Sequence, residues 1–153
     1  MNLDVAFTAT SEPIVLADIS KKFAKLEGDM ERDQRVSVVV HTVTSDESIK
    51  RAALNAKRET KYTGNNTGGI EAISEVYDDN PEYRKMLECY WTVDTIANLN
   101  YGTDPVFKRM PLRDIPQGEF IKTWGALPPE VTQAIHAAVL KHNPVWDPTR
   151  LGE

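Results

Sequence analysis

The sequence predicts an α+β fold that is mainly α: a small N-terminal antiparallel β element over residues 1–43, a compact helical part over 44–144, and a C-terminal tail at 145–153. Three observations predict it. Val36, Val38, Val39, Val40 and Val43 form a run unbroken by glycine or proline, and β-branched side chains suit a pleated, half-buried surface. Downstream, helix-start punctuation precedes apolar residues at three- and four-residue spacing. A chain of 153 residues, 41% hydrophobic and 27% charged, buries roughly two thirds of its unfolded surface as one domain, so no disulfide or metal is needed to hold it.

Taken in order, Leu3, Val5 and Phe7 alternate with small or polar residues and predict a short strand over 3–9, interrupted at Ser11-Glu12-Pro13. Ile19, Phe23 and Leu26 recur at helical spacing, so a short helix over 17–26 is expected, closed by Gly28 and the charged run 29–33. The valine strand at 35–43 should then pair with the first strand. Thr44 with Glu47 three residues on is the reciprocal cap of a helix start, and predicts a helix over 45–61 that buries Ile49, Ala52, Ala53 and Ala56.

The stretch 63–69 is a loop by composition. It lacks the Lys-Ser/Thr ending and the preceding apolar strand of a phosphate-cradling loop. A helical turn over 70–77 should follow. Asp79-Asn80-Pro81-Glu82 combines a capping side chain, a proline whose missing donor costs nothing, and an acid in the first turn. The helix it opens is predicted to reach Leu99, with Tyr83, Met86, Leu87, Tyr90, Val93 and Ala97 along one side, Trp91 beside them, and Asp94 on or near the stripe, paired with a basic residue. Asn100-Tyr101-Gly102 closes it, and residues 103–107 turn Val106 and Phe107 back to the core. A proline-spaced connection leads to a short helix at 119–124. The last helix opens at 125–130, carries Val131, Ala134, Ile135, Ala138 and Val139, and stops at Asn143-Pro144.

The net charge of −5 and the absence of a strong basic face argue against nucleic-acid binding. The basic run Arg35, Lys50, Arg51, Lys57, Arg58 and Lys61 reads as a solvated helix face. The N-terminus has neither a basic region nor a long apolar run, so neither a signal peptide nor a membrane span is expected. One cysteine, Cys89, excludes an internal disulfide, favours the cytoplasm, and sits in an apolar pattern that makes it a buried small hydrophobe. His41, His136 and His142 lack metal-ligand spacing, and no serine sits in a strained glycine-flanked turn, so neither metal, cofactor nor enzymatic chemistry is expected. The aromatic side chains Tyr90, Trp91, Phe120, Trp124 and Trp146 are the candidate partner-binding residues. Burial in the core is the competing reading, and for Trp146 folding back is the default.

Thr44, Glu47, Ala52 and Ala53, then Thr103-Asp104-Pro105-Val106-Phe107, then Trp124, Leu127, Pro128, Glu130, Ile135, Val139, Asn143 and Pro144 occur in an order that is similar to the tail assembly chaperones of long-tailed phages, over residues 35–144. The resemblance implies a non-enzymatic helper of phage tail morphogenesis in the host cytoplasm, one that coats the apolar helices of the tape-measure protein and commonly self-associates into homo-oligomers. Capture would place apolar client helices in a groove. Two alternatives stand beside it: a structural virion component of the tail, neck or baseplate, or a small acidic inhibitor that engages a basic partner through residues 71–94.

Overall fold

The computed structural model describes residues 10–63, 81–99 and 111–148. The strand expected at 3–9, the loop expected at 63–69 apart from Thr63, which is helical, the turn at 70–77, the cap at Asp79-Asn80 and the connection at 100–110 lie outside the described residues. Within them the fold is α+β and mainly α, as the sequence predicts. Strands β1 (Ile14–Val15), β2 (Ser37–Val40) and β3 (Val93–Ala97) and helices α1 (Lys21–Glu27), α2 (Ser45–Thr63), α3 (Pro81–Thr92), α4 (Gln117–Gly125) and α5 (Pro129–His142) are joined by short 3₁₀ turns at Leu16–Asp18, Arg32–Gln34, Leu112–Asp114 and Pro144–Trp146.

The valine run forms the centre of an antiparallel sheet ordered β1-β2-β3. Val38 and Val40 point into the core and are fully buried, the alternation that period two demands. On one side β2 pairs with Ile14 and Val15, a ladder extended by Ser11 N–H donating to Val40 O and by a bridge from Thr10 to His41. Pro13 therefore precedes a strand that continues the pairing.

On the other side lies the largest departure from expectation. The helix that starts at Pro81 ends at Thr92, and Val93–Ala97 is a strand, not the last turns of a helix reaching Leu99. Val93, Thr95 and Ile96 are β-branched, and the Thr92 hydroxyl donates back to Glu88 O at 2.6 Å, occupying a carbonyl of the final helical turn. Residues whose apolar spacing also fits a helix are drawn into extended form because β2 offers them an unpaired edge. The register runs Val38↔Ile96, Val39↔Thr95, then Val40↔Val93, which leaves Asp94 as the extra residue of a β-bulge.

Helix α5 packs on α3 and on the sheet, and α4 closes the end. Leu16, Val38, Val40, Cys89, Val93, Ile96, Leu112, Phe120, Ile135, Ala138 and Val139 make the core. Tyr90, Phe120 and Trp124 stack in tilted contact, at 4.5 Å and 5.3 Å between ring centroids. Tyr90 also donates its hydroxyl proton to Ile115 O, so its polar tip is satisfied inside.

Two further expectations are corrected. Leu26 does not share the buried side of α1 with Phe23. It is 74% exposed, since Phe23 alone among the residues of α1 reaches the core; the helix starts only at Lys21, under a Ser20 cap, and ends at Gly28, whose φ of +55° suits glycine. In α2 the cap forms as predicted, with Glu47 N–H donating to Thr44 Oγ1 and Thr44 N–H to Glu47 Oε1. The helix nevertheless turns a different side inward: Ile49, Ala52 and Ala53 are exposed, Glu47 is buried, and Arg51 and Leu54 are half-buried. The Ala56 side chain lies outside the described residues.

Candidate functional site

Two constellations stand out, one apolar and open, one ionic and closed. The first is a groove of about 540 Å³ between α1, the N-terminal end of α5 and one end of the β2–β3 pair. Phe23 forms its floor, and Leu26 and Met30, 74% and 42% exposed, form one lip. Val36, Leu99, Pro128 and Val131 close the other sides, with Lys22, Glu27, Gln34, Asn98 and Glu130 around the edge.

The walls are fixed by polar contacts that leave the interior apolar. Asn98, at φ 65°, donates from Nδ2 to both Asp33 O and Arg35 O at 3.0 Å and so pins the end of β3 to the 32–34 turn. Asparagine tolerates this left-handed conformation better than most residues. Arg35 donates to Gly28 O and Met30 O, bracing the segment after α1, while Glu27 Oε2 accepts from Val36 N–H at 2.8 Å. The other Glu27 oxygen is buried with no hydrogen-bond partner among the described residues. Across the top, Lys22 and Glu130 pair at 2.8 Å, and both are about half exposed, so the contact orients α1 toward α5 more than it stabilises it.

The second constellation lies under α2. His41 follows β2 and meets Glu47 Oε2 through Nε2 at 2.7 Å and Asp94 Oδ1 through Nδ1 at 3.0 Å. Arg113 donates to the same Asp94 oxygen at 2.6 Å. The bulge at Asp94 makes this meeting possible, since a bulge re-aims one side chain out of the strand's alternation. One turn further along α2, Arg51 reaches Glu88 at 2.6 Å, and Glu88, only 2% exposed, also faces His136 at 2.8 Å. The Arg51 guanidinium lies 5.2 Å over the Trp146 ring.

Burial pulls the His41 pKa down, but the hydrogen bonds and charges of Glu47 and Asp94 outweigh it and the net direction is up. Burial likewise pushes Glu47, Asp94 and Glu88 up, and their basic partners bring all three below the usual carboxylate range. Cys89 is fully buried, and burial together with the Glu88 charge raises its thiol well above the usual value, which leaves it protonated and inert. A space of about 80 Å³ beside Cys89, His136 and Trp124 has room for about three waters. Among the described residues no cluster of histidine, cysteine and carboxylates could hold a metal ion, and no helix is long and apolar enough to cross a membrane.

Of the aromatic residues singled out for partner binding, Tyr90, Phe120, Trp124 and Trp146 are all core, between 0% and 8% exposed, and Trp91 is half-buried against it. The four enclosed side chains offer a partner little contact area, and among the exposed large apolar side chains Leu26, Met30, Ile49, Tyr83 and Val145 it is Leu26 and Met30 that line the groove. Sequence reasoning passed over these two because Leu26 fits the helical spacing of Phe23 and Met30 sits in a charged run. The Asp94 pairing is as expected, and Trp146 folds back as its default reading holds. In comparisons with known proteins no family model matches the chain, and no curated protein or solved structure matches it.

Proposed function

We propose that this chain is a non-enzymatic binding protein that holds an apolar helix in the groove beside α1, and that it serves as a phage tail assembly chaperone whose client is the tape-measure protein. The observation that carries this reading is a braced, apolar, open groove whose lip is formed by Leu26 and Met30. A volume of 540 Å³ falls inside the usual range for a binding cleft and takes on the order of three or four apolar side chains from one face of a client helix. Methionine and leucine at the lip adapt to clients of varied shape, which suits a helper that meets many segments of one long chain. The client and the assembly role come from the sequence resemblance; the groove supplies the manner of capture.

The inhibitor reading loses support from the ionic clusters. Glu88 and Asp94, two of the acids it needs in 71–94, are committed to internal partners. A virion component is separated from an assembly helper by mass spectrometry of purified particles, in which the helper should be missing.

The groove is tested by substitution at its lip. Leu26→Asp and Met30→Asp should each weaken binding to helical tape-measure segments by about tenfold or more, the effect of removing one buried apolar contact and adding a charge. Stability should change by less than about 0.5 kcal/mol, since both residues are exposed in the free chain. Val145→Asp, at a residue 67% exposed and outside the groove, should leave binding unchanged. Absence of any complex between the wild-type chain and tape-measure segments sinks the proposal; equal loss from Val145→Asp sinks the placement of the site.

A further inference from the structure

Helix α2 is built largely inside out. Among residues 45–54 only Glu47 is buried and only Arg51 and Leu54 are half-buried, while Ile49 is 67% exposed and Ala52 and Ala53 are exposed. Leu54, at the far end of this stretch, is its one partly covered apolar side chain. The turns before it have no apolar group to bury, so their attachment rests on polar contacts. There are two stations: Glu47 with His41 at the first turn, and Arg51 with Glu88 one turn later.

The first station depends on a proton. His41 faces a carboxylate at each ring nitrogen, 2.7 Å from Glu47 and 3.0 Å from Asp94, and a neutral imidazole has only one N–H to give. Only the imidazolium donates to both. Arg113 Nη1 lies 3.3 Å from His41 Nδ1 and donates to the same Asp94 Oδ1: beside the imidazolium it meets a second donor, and beside a ring that has lost its Nδ1 proton it can donate to the lone pair. From α5, His142 bonds Thr42 and is the remaining titratable group close by; its pKa is lowered by burial and by the charge on His41. Glu47, Asp94, Arg113 and the imidazolium together are neutral. Loss of the proton leaves one net negative charge and sets one carboxylate against a ring lone pair.

We propose that the N-terminal half of α2 is a detachable arm, held on the sheet most firmly while His41 bridges Glu47 and Asp94 as an imidazolium and loosened when that proton leaves. The arm opens from its first turn, because the second station is backed by His136 and Trp146, has Leu54 beside it one turn on, and carries no such requirement. The groove is at the other end of β2, bounded by Val36, five residues before His41. At about 3.3 Å per residue the two are roughly 16 Å apart, so the arm and the groove are tested separately. The shifts agree in direction: His41 raised, Glu47 and Asp94 lowered.

The test is amide hydrogen exchange of the full chain from pH 6 to 9, with protection at residues 48–54 taken relative to that of α5, which cancels the intrinsic pH dependence of exchange. In the wild type this ratio should fall, by up to about tenfold per pH unit, as pH rises from the ordinary histidine value of about 6.5 through the raised folded-state value of His41. In His41→Gln it should be flat. Glu47→Gln keeps the helix cap, because glutamine serves at that position, and should lower the His41 pKa read by NMR from its ring protons. A ratio independent of pH in the wild type overturns the proposal, as does a His41→Gln chain that titrates like the wild type. If His41→Gln does not fold, an unchanged His41 pKa in Glu47→Gln overturns it alone.

Discussion

Glu88 is enclosed by Arg51 and His136, at 2.6 Å and 2.8 Å, with 2% of its surface exposed. Its charge is tolerable there only because both partners donate to it. Glu88→Ala strands a half-buried guanidinium, and should lower the free energy of unfolding by about 3–5 kcal/mol in urea titration. Replacing Arg51, Glu88 and His136 together by apolar residues of similar size should recover most of that loss, because the cost lies in the unpaired charges and not in the vacated volume. A residue next in the chain, Cys89, is fully buried beside this pair and takes no part in it. Asp94 shows the same logic on the sheet, where a single extra residue in β3 aims one carboxylate at His41 and Arg113.

At the scale of elements, α2 shows how a correct start can precede a misjudged face. The reciprocal cap of Thr44 and Glu47 is present, and Glu47 also serves His41, so the cap and the first ionic station share one side chain. Thr44→Ala removes the hydroxyl that satisfies Glu47 N–H and should cost about 1 kcal/mol, seen as a drop in midpoint temperature of a few degrees. The loss of protection should be concentrated at the N-terminal turn of α2 in hydrogen exchange, with α5 unaffected beyond the global shift. Helix α3 and strand β3 meet with no loop between Thr92 and Val93, so the direction of the sheet edge is set by where the helix ends.

For the whole molecule, the ionic clusters set a pH window. His41 has a raised folded-state pKa, so its contribution is complete below the ordinary histidine value of about 6.5 and fades as pH rises through the folded value. Glu47, Asp94 and Glu88 have lowered values, so theirs is complete above the ordinary carboxylate range and fades as pH falls through the folded values. His142, with a lowered value, opposes folding at acid pH and trims the window from below. Urea titrations across pH should therefore show greatest stability between about pH 5 and 6.5, and His41→Gln should flatten the alkaline limb. A profile rising steadily from pH 6 to 9 contradicts this arrangement. The groove holds no pairing of this kind on its apolar walls, so client capture should survive salt that screens the exposed Lys22–Glu130 pair.

Local signals were legible in the chain itself: the valine strand, the cap at Thr44, the helix start at Pro81, the stop at Asn143-Pro144 and the burial of Cys89 each depend on residues within one turn or one pleat of each other. The class of fold follows from these, because punctuation and period act over short range. Tertiary structure alone decided that Val93–Ala97 joins β2, that α2 turns Glu47 and Arg51 inward, that Tyr90, Phe120, Trp124 and Trp146 are core, and that Leu26 and Met30 edge a groove. His41 and Asp94 lie 53 residues apart, and Arg51 and Glu88 lie 37 apart. Periodicity tells which side chains share a side of an element, but only the neighbours supplied by distant chain determine whether that side is covered.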